Sequence, residues 1–176
     1  MMGWTGWLAL GVLGLSACDR TSVRPSAAAL PLQVATAVNA LAGQCSAVGG
    51  RPRADAAVRR GDFNSDGRED FVLYAGWIVC EGAASVFGDR EKDVAVFAGN
   101  VTGGSSGAFT QSVFDVMIEE KEGRHQLWFT VSGADCGKAP AATFSEESFC
   151  DRAIVWNAAT NQFNYEPLSA GRILQQ

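Results

Sequence analysis

Between Leu32 and Cys45 the residues Leu32, Ala35, Val38, Leu41, Ala42 and Cys45 recur at spacings of three and four, and the pattern stops at Gly49-Gly50. That period predicts one amphipathic helix opened by Pro31, whose missing N–H costs nothing in a first turn. The helix lacks Lys and Arg, which fits a core-packing element and not a membrane-surface one. Beyond the glycines the period shortens to two. Strands are expected over Ala54 to Gly61, Phe71 to Ile78, Asp93 to Ala98, Phe109 to Ile118 and Gln126 to Ser132, with Glu81 to Lys92 and "GNVTGGSSG" as loops. Within Phe109 to Ile118, Val113 and Met117 fall on one face and Phe114, Val116 and Ile118 on the other. The Gly-containing turn "EEKEGR" joins two of these strands as an antiparallel hairpin, and Ala153 to Trp156 with Phe163 to Tyr165 form another across "NAATNQ". One N-terminal helix packed on a mainly antiparallel sheet of six to seven short strands is an α+β domain. No internal repeat is present.

The amino-terminal end follows a different rule. The first 18 positions carry no charged residue, and Trp7 to Leu15 is an apolar run too short for a membrane span and suited to a signal-peptide core. Residues 1–17 are the expected leader, 18–29 a tether of Ser, Thr, Arg, Pro and Ala, and 30–176 a single globular domain. Leu15-Ser16-Ala17-Cys18 resembles the bacterial lipobox, which implies cleavage before Cys18 and lipidation of that residue. Three acyl chains at roughly 0.8 kcal/mol per buried methylene would fix such a protein to the membrane of the cell envelope, facing the periplasm. Asp19 resembles the inner-membrane retention signal of enterobacterial lipoproteins.

Cysteine usage agrees with export. Apart from Cys18, the chain has Cys45, Cys80, Cys136 and Cys150, an even number that predicts two disulfides with three possible pairings. We favour Cys45 with Cys80 and Cys136 with Cys150. No C-x-x-C occurs, which argues against a structural zinc site or a thioredoxin-type redox centre.

The formal charge of −5 lies wholly beyond the leader and gives no reason to bind nucleic acid. Arg51, Arg53, Arg59 and Arg60 gather in "RPRADAAVRR", but Asp55 and the acidic stretch that follows dilute them.

That acidic stretch, Gly61 to Val72, reads G-D-F-N-S-D-G-R-E-D-F-V. Asp62, Asn64 and Asp66 alternate, Gly67 follows, the Arg68 carbonyl takes the seventh place and Asp70 the ninth, an order of oxygens that suits a calcium ion. The bidentate Glu of an EF-hand is missing, its place being held by Leu73. From Gly61 to Tyr74 the chain resembles the calcium loops of FG-GAP and related adhesin-type repeats. The resemblance implies a metal held between two strands by Asp62, Asn64, Asp66, Arg68 through its carbonyl, and Asp70. It does not extend to the family's β-propeller, which needs several repeats.

No catalytic constellation stands out. The single His125 lies beside Glu119, Glu120 and Glu122, Ser85, Ser105 and Ser106 lack a nucleophile-elbow setting, and Glu120 with Asp151 is one of many drawable acid pairs. The sequence therefore points to a lipid-anchored envelope protein with one structural calcium loop, a binding or structural module for a protein or glycan partner. A small inhibitor or assembly factor of a wall-degrading enzyme is the alternative, and a hydrolase the third.

Overall fold

The computed structural model describes residues 29–54, 56–99 and 109–173. The expected leader, Cys18, nearly all of the tether and positions 100–107 of the Gly-rich connection lie outside the described residues.

Helix α1 (Leu32–Ala47) forms where the period of three and four predicts it, with Pro31 at its N-cap and the Pro31 carbonyl accepting the Ala35 amide at 2.9 Å. Its buried stripe is shifted from the expected one. Val34 is fully buried, Ala37, Val38 and Leu41 pack beside it, and Leu32 is 82% exposed. A stripe of Leu30, Val34, Val38, Leu41 and Cys45 satisfies the same period, and the apolar face of Phe71, Leu73 and Phe97 beneath the helix decides between the two.

Eleven strands follow among the described residues: β1 (Arg51–Arg53), β2 (Val58–Gly61), β3 (Asp70–Tyr74), β4 (Val79–Glu81), β5 (Lys92–Phe97), β6 (Phe109–Val113), β7 (Asp115–Lys121), β8 (Arg124–Ser132), β9 (Phe149–Asn157), β10 (Gln162–Tyr165) and β11 (Arg172–Ile173). They make three antiparallel sheets: a β1-β4 ribbon, a four-stranded sheet ordered β2-β3-β5-β6, and a five-stranded sheet ordered β10-β9-β8-β7 in which β11 also pairs with β9. The chain is thus α+β, with more strands than the six or seven expected.

Two corrections account for most of the difference. The stretch Phe109 to Ile118 is not one strand, because the chain leaves one sheet at Val113 and enters the other at Asp115. Phe114 is the corner: its amide donates to the Thr130 carbonyl and its carbonyl accepts the Tyr74 hydroxyl, both at 2.8 Å. Likewise the strand expected to reach Ile78 ends at Tyr74, a single 3-10 turn follows, and β4 returns to pair Cys80 with Pro52. At the β7–β8 turn Glu122 and Gly123 both adopt positive φ, 55° and 73°, the geometry of a two-residue hairpin that follows the strand twist.

The alternation along β3 sets the layers. Val72 and Tyr74 join Val94, Val96, Val113, Leu127, Phe129 and Ile154 in the core between the two larger sheets. Phe71 and Leu73 point the other way and meet Val34, Phe97 and Ile78 beneath α1. Buried on both faces, β3 is apolar throughout except for Asp70 at its start. The order across the molecule is five-stranded sheet, four-stranded sheet, helix.

A candidate groove and the acidic loop

The loop between β2 and β3 carries every residue of the expected calcium site. Asp62 turns both oxygens inward, Oδ1 accepting the Asp66 amide at 3.1 Å and Oδ2 the Gly67 amide at 2.9 Å. Asn64 Oδ1 also accepts the Asp66 amide, and Asp66 Oδ1 accepts that of Arg68 at 2.8 Å. Asp70 lies fully buried beneath the loop, where Oδ2 takes the Phe63 and Asn64 amides and Oδ1 takes that of Gly99, two residues past the end of β5. Arg68 is exposed, and Phe63 anchors the loop edge-on against His125, ring centroids 6.0 Å apart.

These facts correct the reading of a metal site. Among the described residues no group of three or more His, Cys, Asp or Glu side chains is placed to hold a metal ion. Oxygens set at alternate positions also suit the amides of a tightly coiled backbone, and Asp62, Asn64, Asp66 and Asp70 are turned on those amides. Ser65 and Gly67 adopt positive φ to make that coil. The result is a side-chain-braced turn.

Removal from water pushes the Asp70 carboxyl up from 3.8 to about 6; the Gly99 and Phe63 amides pull it back down, and nearby Asp66 and Asp62 add to the rise. Gly99 has no room for a side chain, since a Cβ there would lie 2.5 Å from the Glu69 carbonyl oxygen.

The acid and base candidates do not converge. His125 pairs with Glu120 across β7 and β8, whereas Asp151 is buried beside Thr130, whose hydroxyl it accepts at 2.7 Å. Five strand residues separate His125 from Thr130, about 17 Å. Glu120 and Asp151 are therefore too far apart for a glycosidase pair, whose carboxyls stand within roughly 10 Å.

An open concavity lies elsewhere. Helix α1 covers only part of the four-stranded sheet, leaving a trough of about 750 Å³ between Ala37, Ala40 and Leu41 of the helix and the outward face of β5 and β6. Its floor is Leu73, Asp93, Ala95, Thr110 and Ser112, side chains that the β5–β6 register places on one face, and Ser112 donates to Asp93 at 2.9 Å. Glu91 and Asp135 close it, so all three charged lining residues are carboxylates. None of these was singled out from the sequence. Asp93 to Ala98 reads locally as a buried strand, and only the placement of α1 shows that Asp93 and Ala95, opposite Ser112 and Thr110, line an open trough.

No described helix is long and apolar enough to cross a membrane. No protein-family model matches the chain, and no curated protein or solved structure matches it either.

Proposed function

We propose that this is an exported bacterial cell-envelope protein, held to the membrane by a lipid on Cys18 and facing the periplasm, that acts as a binding module. The observation that carries the reading is the pair of disulfides, Cys45–Cys80 and Cys136–Cys150, in a chain whose first residues resemble a lipoprotein leader. Such bonds persist in oxidising compartments. A binding role draws support from the open trough beside α1.

The experiment is metabolic labelling with a fatty-acid analogue, followed by fractionation. The wild-type chain is expected to take up label and to sediment with membranes, and Cys18→Ser to lose the label. Label retained after Cys18→Ser, or a wild-type chain found unlabelled and soluble, would overturn the anchored reading.

A further inference from the structure

We propose that the trough beside α1 takes an extended peptide rich in lysine or arginine, laid along β6 as an added strand. The proposal deepens the reading of a binding module and rests on it. Among the described residues β6 pairs with β5 alone, and Thr110, Gln111 and Ser112 are exposed along it. An unpaired strand edge presents main-chain donors and acceptors at alternate residues, which is the basis of recognition by strand addition.

Exposed edges are commonly guarded by charge or proline. Edge strand β2 carries Arg59 and Arg60, and edge strand β7 carries Asp115, Glu119 and Glu120, whereas β6 (F-T-Q-S-V) and β10 (Q-F-N-Y) have no charge and no proline, and of these two only β6 borders the carboxylate-lined trough. Its guard is displaced into the trough, where Glu91, Asp93 and Asp135 gather. The nearby Lys92 turns its ammonium to the Arg90 carbonyl at 3.3 Å. Every second side chain of an added strand would face those carboxylates. Cationic side chains are attracted there and anionic ones repelled, so charge selects the partner while the main chain holds it. A free small cation would meet the carboxylates but leave the strand edge unused.

The test uses the mature full chain in detergent and a fluorescent octapeptide of alternating Lys and Thr, read by anisotropy. Three comparisons accompany it: the same peptide with Glu for Lys, the Lys peptide N-methylated at alternate residues, and spermidine as competitor. The Lys peptide is expected to bind with an affinity that falls as salt rises, and the Glu peptide not to bind. N-methylation of one alternate set should weaken binding at least tenfold. Glu91→Gln and Asp93→Asn, both at exposed positions, should each weaken it about threefold to tenfold. Equal binding of the Glu peptide, indifference to N-methylation of either set, competition by spermidine at the peptide's own concentration, or unchanged affinity in both variants would each overturn the proposal. The Cys18→Ser chain should bind the Lys peptide as the wild type does, so a failure of anchoring and a failure of peptide recognition are separately visible.

Discussion

Asp70 is a carboxylate that folding takes out of water and surrounds with three backbone amides, from Phe63, Asn64 and Gly99. Its raised pKa makes stability depend on pH. Between 3.8 and about 6 the folded chain keeps a proton that the unfolded chain has lost, so the contribution is full below 3.8 and is lost as pH rises through 6. The expected fall is on the order of 2 to 3 kcal/mol. Urea titrations at pH 4 and pH 7 measure it, and Asp70→Asn, which cannot titrate, should flatten the difference. An equal slope in both proteins would assign the effect to other groups. Two glycines give a second contrast. Gly99→Ala should destabilise by about 1 to 3 kcal/mol, because the new Cβ meets the Glu69 carbonyl. Gly43→Ala, inside α1 with open space around it, should stabilise by up to about 1 kcal/mol. The denaturation midpoints should move in opposite directions.

At the level of elements, the short strand β11 is fastened by one side chain more than by its ladder. Arg172 reaches from β11 across β9 and β8 to Glu119 on β7, bonding both carboxylate oxygens at 2.6 and 2.9 Å. On the way its guanidinium lies 3.7 Å from the centre of the Trp128 ring, and the Trp128 indole N–H donates to the same Glu119 at 3.1 Å. A planar, two-pronged cation is required for both contacts, which lysine cannot reproduce. Arg172→Ala should speed hydrogen exchange of the Trp128 indole N–H and of the β11 amides at least tenfold, and Arg172→Lys should restore little of the protection. Unchanged indole exchange would show that Trp128 is covered by other groups. Periodicity gave no warning of this element, since two residues are too few to show a period.

For the molecule as a whole, the two disulfides act on different parts. Cys45–Cys80 ties the end of α1 to β4 across 35 residues, with Cα atoms 5.7 Å apart, and both cysteines are buried. Cys136–Cys150 closes 14 residues at the end of the five-stranded sheet, Cα atoms 6.5 Å apart. In the chain-entropy model the first is worth about 4 kcal/mol and the second about 3. The first also joins the helix layer to the β1-β4 ribbon through two buried cysteines. Replacing Cys45 and Cys80 together by Ala should therefore lower the melting temperature more than replacing Cys136 and Cys150 by Ser. The reverse order would mean that the loop after β8 matters more to the core than the helix layer does.

What the sequence settled by itself is what short-range rules govern. Helix α1, the β9–β10 hairpin, the turn at Glu122-Gly123 and the alternation of β5 follow from period and turn chemistry over a few residues, and the favoured cysteine pairing from the elements those rules placed. Tertiary structure decided the rest, because the remaining choices are degenerate locally. Both Leu32 and Val34 can begin a stripe of period three to four, and only the sheet beneath α1 selects Val34. A run of alternating residues from Phe109 to Ile118 reads as one strand until Tyr74 and Thr130 hold Phe114 at the corner between two sheets. The acidic loop is the sharpest case. Spaced oxygens suit a cation or a coil of amides equally well, and Asp70 was committed to the amides by burial under the loop and by Gly99, a residue 29 positions away that no local reading can place.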